Sequence, residues 1–426
     1  MKTEVSALEF YATAAKGTED LLAEELRSSR IAATDIEIGR GGVSFCGTME
    51  TAYRACLFSR IAIRVLYPIQ AFDAPNPEKL YGGVKSIRWS DHLTPDQTLA
   101  VEFVSVESQI THTHYGALKV KDAICDQMRS VFGARPSVSR ERPDLAVYVY
   151  VFEDWATVSL DLSGEALHRR GYREDGAPAP LKETLAAALL LRAGWDRFGP
   201  QGAAFLDPMC GSGTLVHEAV SIAIGAAPGV HRDYFGFLGW KQHDRAMWQR
   251  LKQEAKSLIL PEAMGGGSVQ TNPFRAARFI GSDRNSRVIE SSRLNQSNTV
   301  WSRWSAVKFD CQPLINCPTP VSELPSDQEG PKGFFFVNPP YGERIGALSD
   351  RRGEDRYESD EEEKDEALFA LYRQIGDTMK NRFKGWKGFV FTGNPDAAKC
   401  IGLKATRRHI FYNGPIECRL LEFNLY

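Results

Sequence analysis

Five short and almost wholly apolar runs constrain this chain more than anything else in it. They are AAFLDP, RFIGSD, AVKFDC, GFFFVNPP and GFVFTGN, between Ala203 and Asn394. Each is of strand length, and each is followed by a stretch of helical pattern. A strand that is apolar at every position has no face to show water, so it must lie in a sheet covered on both sides. Strands of this kind alternating with helices build a parallel sheet with helices above and below. The end of the chain differs. RRHIFYNGPIECRLLEFNLY reads as two strands about an Asn413-Gly414 turn, a hairpin signal that adds an antiparallel strand to the sheet. Residues 181–426 are therefore expected to form a Rossmann-like domain with a mostly parallel seven-stranded sheet, entered through the helix LKETLAAALLLRAGW.

The N-terminal half has another texture. EFYATAA reads as a strand and GTEDLLAEELRSS as a helix, with Leu21, Leu22 and Leu26 at helical spacing and acids in its first turn. DIEIGRGGVSFCG alternates like a hairpin, and METAYRACLFSRIAIRVLYPIQAF gives a helix and then a strand. A second unit follows: strand QTLAVEFVSVES, amphipathic helix YGALKVKDAICDQMRSVFG, and hairpin DLAVYVYVFEDWATVSLDLSG. These are α+β patterns. GEALHRRGYREDGAPAP, rich in Gly, Pro and Arg, reads as a linker. The expected division is 1–68, 69–164, a linker at 165–180, and 181–426.

Composition narrows the class. A hydrophobic fraction of 43% and a charged fraction of 25% describe an ordinary globular protein. The opening residues lack the long apolar stretch of a signal peptide, and no run is long enough to cross a membrane, so the expected location is the cytoplasm. Eight scattered cysteines without a CxxC suggest free thiols and no zinc site. The net charge of −2 hides an asymmetry. Residues 179–426 carry 32 Lys and Arg against 29 Asp and Glu, and ten of those acids sit in one run from Asp350 to Glu366. Outside that run, the C-terminal half is basic enough to face a polyanion.

FLDPMCGSGTLVHEAVSIAIG is a strand, an acid, a Gly turn and a helix. Gly211 and Gly213 let backbone approach a ligand where a Cβ would collide. The following helix offers free N–H groups from Thr214 onward. The second strand ends in Asp283, where a carboxylate holds ribose hydroxyls. The third ends in Asp310, placed to reach an adenine amino group, followed by Cys311. Three acids at three successive strand ends point to one ligand, because parallel sheets bind ligands at their carboxyl ends. The dinucleotide fingerprint GxGxxG is absent, and a diphosphate suits Asp207 poorly. A cationic ligand with ribose, adenine and an amine suits it well, which describes S-adenosylmethionine. Asp207, Pro208, Cys210, Gly211, Gly213, Thr214, Asp283, Asp310 and Cys311 are the expected contacts, with Lys182 and Thr184 reaching the methionine end. The bland alternative makes the three acids turn and cap residues only, and Cys210 a packed thiol.

NPPY follows the fourth strand on the same edge. Pro339 and Pro340 stiffen the backbone and remove donors. The Asn338 side-chain oxygen and the Pro339 carbonyl can each accept from a planar –NH2, and Tyr341 can stack on the ring bearing it. An exocyclic base amine is a weak nucleophile because its lone pair is delocalised. Two acceptors that favour a pyramidal nitrogen restore that lone pair and aim it, so catalysis rests on orientation and charge placement.

DPMCGSGT and NPPYGERIG resemble the THUMP-bearing class I methyltransferases, most of all the bacterial large-subunit ribosomal RNA guanine-N2 enzymes. The resemblance covers nearly the whole chain. FYATAAKGTEDLLAEEL is similar to that family's opening, YGALKVKDAICDQM to its THUMP helix, and LHRRGYR with APLKETLAAALL to its linker and first catalytic helix. It implies a ferredoxin-like unit at 1–68 and an RNA-gripping THUMP domain at 69–164 before the methyltransferase domain. It also implies an RNA substrate, 23S rRNA or its assembly intermediate ahead of tRNA, and a monomer. The second methyltransferase to which some relatives are fused is expected to be absent. Lys119 and Lys121 are the expected THUMP contacts, with Arg169, Arg170 and Arg173 guiding RNA across the linker. A solvated helix face and local ion pairs are the plain readings of the same residues. The acidic run is a solvated loop or a lid over the base pocket.

NPPY also occurs in adenine-N6 DNA methyltransferases, since both targets are exocyclic amines. The N-terminal half separates the two, because it resembles an RNA-binding module and a base in an RNA loop is already exposed. Carbon methylation would need a nucleophilic Cys beside the fourth strand, where the residues are Asn, Pro, Pro and Tyr. An RNA-binding scaffold with an inactive catalytic fold is the non-enzymatic alternative.

Overall fold

The computed structural model describes residues 7–174, 181–264, 277–324, 329–342 and 358–426. The chain divides into two compact units, residues 1–15, 19–170 and 228–257 in one, and 16–18, 171–227 and 258–426 in the other.

The first unit is built on one eight-stranded sheet. Its order is Thr34–Gly39, Gly42–Gly47, Leu8–Thr13, Arg64–Asp73, Trp155–Asp161, Leu145–Phe152, Thr98–Val106, Ser137–Val138. The strand Arg64–Asp73 joins the two halves. Its first residues pair with Leu8–Thr13, and nearly its whole length pairs with Trp155–Asp161. It therefore runs straight through residue 68, where the sequence suggested a domain border. The register slips between Pro68 and Gln70, where a residue without an N–H interrupts the ladder. Two elements went unread in the sequence: the helix Pro77–Ser86, capped by Asn76, and the helix Arg245–Ser257. The second lies within the stretch read as catalytic, yet belongs to this unit. Arg54 grips its Glu254 through two hydrogen bonds of 2.8 and 2.6 Å.

The second unit holds the sheet foreseen from the five apolar runs. Its seven strands are Ala204–Asp207, Phe279–Asp283, Val307–Cys311, Gly333–Val337, Lys387–Thr392, Arg407–Asn413 and Ile416–Asn424. Numbered in that order they lie 3-2-1-4-5-7-6; the first five pair in parallel, and strand 7 pairs antiparallel with both 5 and 6. The terminal hairpin turns at Gly414-Pro415, with Asn413 opposite Ile416. The run Phe334–Val337 is completely buried because both of its faces are covered. Phe334 meets Trp195 edge-on at 5.1 Å and Phe389 stacked at 5.3 Å on one side. Phe335 meets Phe383 at 5.1 Å on the other, within a core that includes Tyr372, Ile375 and Met379.

The acidic run departs from the loop reading. From Glu358 it is helix, the start of Glu358–Arg382, whose later turns carry the buried Tyr372, Ile375 and Met379. The earlier part of the run, 350–357, lies outside the described residues, as do 343–346 of the NPPYGERIG motif and 175–180 of the linker. Among the described residues, no helix is long and apolar enough to cross a membrane.

Truncating Phe335 to Ala removes a ring gripped between the sheet and that helix. The expected cost is about 3–5 kcal/mol, seen as a lower thermal unfolding midpoint of the second unit.

Candidate active site

In an open α/β sheet, strand order reverses at one point, and the carboxyl ends of the strands part there to leave a crevice. Here that point lies between the first and fourth strands, paired through Leu206 and Phe335. Asp207 ends one and Asn338 follows the other.

The first strand delivers Asp207 into a dry position, 2% exposed. Its Oδ1 accepts from the Met209 amide at 3.1 Å. Burial pushes the carboxyl up to about 8; the Met209 amide pulls it back and the neighbouring Asp283 adds repulsion. Pro208 sits in the turn that follows. Cys210 is buried, its amide donates to the Ser282 carbonyl at 3.0 Å, and burial raises its thiol well above the usual range. It is a packed thiol, inert at neutral pH.

The Gly turn is held by the second strand. The Gly211 amide donates to Asp283 Oδ2 at 3.2 Å, and the Asn285 amide to Asp283 Oδ1 at 2.9 Å. Asn295 closes the turn from the following helix, Nδ2 to the Ser212 carbonyl at 3.0 Å. The two glycines serve different ends. Both have positive φ, 53° and 84°. A Cβ on Gly213 would sit 2.8 Å from the Phe309 ring, whereas one on Gly211 would meet nothing within 4 Å. Gly213 is therefore needed for packing, and Gly211 faces open space where a ligand can approach.

Thr214 opens the helix Thr214–Ala223. Its hydroxyl accepts from Arg173 at 2.5 Å, and Arg173 pairs with Glu183 at 2.8 Å. Lys182, exposed, and Thr184, buried, flank Glu183 at the start of the helix Glu183–Arg192. One guanidinium thus ties these residues to the Gly turn. Asp310 is half-buried at the end of the third strand, in register with Ser282, and Cys311 after it is exposed.

The reaction corner is braced from the fifth strand. Asn338 is half-buried, Pro339 buried and Pro340 exposed. The Tyr341 hydroxyl donates to Asn338 Oδ1 at 2.7 Å, so the acceptor expected to meet an amine is already engaged by its own motif. Asn394 Nδ2 donates to the Tyr341 carbonyl at 3.0 Å. Tyr372 donates to the Pro340 carbonyl at 3.3 Å and shares a 2.6 Å bond with Thr392. The sequence reading missed Asn394 and Tyr372. FTGNP carried a signal for the first, since Asn before Pro is a helix cap, and Asn394 caps Pro395–Lys399.

Three family models cover the chain in turn: the RlmL ferredoxin-like domain over residues 9–66, the THUMP domain over 74–161, and the RMKL-like methyltransferase domain over 170–422. The chain belongs to the RMKL-like methyltransferase family. A curated relative, the ribosomal RNA large subunit methyltransferase K/L of Syntrophotalea carbinolica, is 42% identical over 98% of this chain. The chain spans about half the length of such relatives, 54% in this case. Among solved structures, SMU.472, described as a methyltransferase complexed with SAH, superposes with TM-score 0.77 at 28% identity, over 99% of this chain and 98% of that one. A Listeria monocytogenes protein, described as a predicted N6-adenine-specific DNA methylase, gives 0.76 at 28%, over 99% and 97%.

For an RMKL-like methyltransferase, two of the five cations expected to meet RNA are placed elsewhere. Arg170 is 2% exposed and donates to the carbonyls of Leu167 and Arg60, at 2.9 and 2.7 Å. A guanidinium held in the interior cannot reach a phosphate at the surface. Arg173 is spent on Glu183 and Thr214, as described. Arg169 is exposed. On the helix Thr113–Phe132, the Lys119 ammonium lies 5.5 Å from the Tyr115 ring, and Lys121 pairs with Asp122 at 2.8 Å.

The buried Asp207 sets a pH dependence. Its folded value of about 8 exceeds the unfolded 3.8, so between those values the unfolded chain binds fewer protons. Its contribution to stability is present at low pH and is lost as pH rises toward 8. Asp207→Asn should flatten the fall of the unfolding midpoint between pH 5 and 8, and a slope equal to wild type would contradict this assignment.

Proposed function

We propose that this chain uses S-adenosylmethionine to methylate the exocyclic N2 amine of a guanine in large-subunit ribosomal RNA. The observation that carries the reading is the placing of two groups at the ends of adjacent strands at the switch point: a dry carboxyl at Asp207, and a stiff corner, poor in donors, at Asn338–Tyr341. The family membership, the names of the relatives and the SAH in a structural neighbour support it.

The residues present fit the cofactor. A carboxyl whose proton affinity is raised by burial and by the nearby Asp283 is suited to gain an ammonium partner. Gly211 faces open space, and a Cβ would fill it. Asp283 anchors the Gly turn with one bond to each oxygen, which leaves lone pairs on both for ribose hydroxyls. Asp310 at the next strand end suits adenine, with Pro208, Cys210, Thr214, Cys311, Lys182 and Thr184 forming the surrounding wall. When bound, the sulfonium supplies an electrophilic methyl.

The protein's own part is orientation. Asn338 Oδ1 and the Pro339 carbonyl accept from the target –NH2 and draw its lone pair out of the ring. Tyr341 must release Asn338 Oδ1 as the amine arrives, and its ring is then free to lie against the base. Tyr372 and Asn394 hold the two carbonyls that follow, so the corner keeps its shape through this exchange. As the amine's new N–C bond forms, the bond from that methyl to sulfur would break to leave a neutral thioether, and the amine would lose a proton to solvent, so no strong base is required. The THUMP domain, with Lys119, Lys121 and Arg169, is assigned to hold RNA away from the reacting base, in rRNA or a ribosome assembly intermediate. The protein is assigned to the cytoplasm and acts as a monomer.

Adenine-N6 methylation is the second reading, favoured by the description of the Listeria neighbour as a predicted N6-adenine-specific DNA methylase. Mass spectrometry of RNA nucleosides from a strain lacking this protein separates the two. One N2-methylguanine should vanish from large-subunit rRNA while N6-methyladenine is unchanged. Loss of N6-methyladenine with N2-methylguanine intact would overturn the assignment, and loss from tRNA alone would move the substrate.

A further inference from the structure

Beside the reaction corner lies a second feature that the chemistry above does not use. A groove of about 430 Å³ opens between the short helix Pro395–Lys399 and the terminal hairpin. Leu403, Ala405, Leu421 and Phe423 give it apolar walls, and Lys399, Lys404, Arg408 and Arg419 bring four cations to it against the single acid Glu417. Two of the cations are already engaged: Lys399 with Asp396 at 2.8 Å, and Arg419 with Glu417 at 3.8 Å. Lys404 and Arg408 are exposed and form no ion pair among the described residues.

The groove is joined to the corner. Thr392 and Gly393 line it, and Arg419 stands directly opposite Thr392 in the sheet. Thr392 shares the Tyr372 hydroxyl that binds the Pro340 carbonyl, and Asn394 holds the Tyr341 carbonyl. A Cβ on Gly393 would come within 3.1 Å of the Tyr341 ring. The groove thus begins one residue from the group placed against the target base.

We infer that this groove binds the nucleotide next to the target in single-stranded RNA, its base and sugar against the apolar walls and its phosphate on Lys404, Arg408 and Arg419. The chemistry is that of a nucleotide: an amphipathic slot with cations along one side. The inference rests on the reading of an RNA base as the methyl acceptor and extends it to the strand that carries the base. It also gives the basic surplus of the C-terminal half a place, along a sheet face that runs down from the carboxyl edge at Thr392 and Arg419.

The test is the triple variant Lys404→Ala, Arg408→Ala, Arg419→Ala in the full chain, with Lys308→Ala, on the third strand at the far side of the sheet, as control. Binding of a short fluorescein-labelled single-stranded RNA is followed by anisotropy across a salt series. The triple variant should bind about 10–100-fold more weakly, with a log–log salt slope shallower by about 1 to 2, and SAH affinity by calorimetry should be unchanged. Unchanged RNA affinity and slope in the triple variant would overturn the groove while leaving methyl transfer to RNA intact. Wild-type protein that neither binds nor methylates RNA would overturn both. Should the triple variant unfold, thiouridine photo-crosslinking of RNA to the wild type decides: crosslinks in residues 398–423 support the groove, and crosslinks only elsewhere refute it.

Discussion

The burial of Phe334–Val337 on both faces is the constraint from which the site follows. A strand with no polar face has its register fixed by packing against Trp195 and Phe389 on one side and the long helix on the other. Its polar ending can then lie only at the carboxyl edge of the sheet, beside the end of the first strand. The strand ends that carry Asn338 and Asp207 lie on adjacent strands because two apolar strands are paired.

Within that frame the corner is preorganised by hydrogen bonds rather than by bulk. Pro339 and Pro340 limit the backbone, Tyr372 and Asn394 hold two carbonyls, and Tyr341 keeps Asn338 Oδ1 satisfied until something replaces it. A polar acceptor left bare in a half-buried site costs about 1–3 kcal/mol. The Tyr341 hydroxyl removes that cost in the free protein, and an arriving amine must match it.

Much of this was legible from residue order alone. Apolar strands punctuated by Asp207, Asp283, Asp310 and Asn338 stand where period and punctuation put them, since a parallel sheet leaves little freedom in placing strand ends. The failures have a common cause in partners distant along the chain. Arg170 looked like a surface cation because arginine is rarely buried, and its acceptor carbonyl on Arg60 lies 110 residues away. Arg173 looked the same until Glu183 and Thr214 met it. The acidic run looked unstructured because like charges repel, but it begins a helix whose later turns pack into the core. The helix Arg245–Ser257 gave a thin signal, with Trp248, Leu251 and Ala255 its only buried residues. The border expected near residue 68 lies between the two family matches, 9–66 and 74–161, within the strand Arg64–Asp73, because one sheet serves both N-terminal modules.

The account stands or falls on a flat amine being held by Asn338. Single-turnover methyl transfer into RNA by Asn338→Ala measures this directly, with SAH affinity and unfolding midpoint followed alongside. A loss of about 100-fold or more in transfer rate, with cofactor affinity and fold unchanged, is the expected result. Transfer at the wild-type rate by a folded variant with normal cofactor affinity would show that the corner does not position the acceptor.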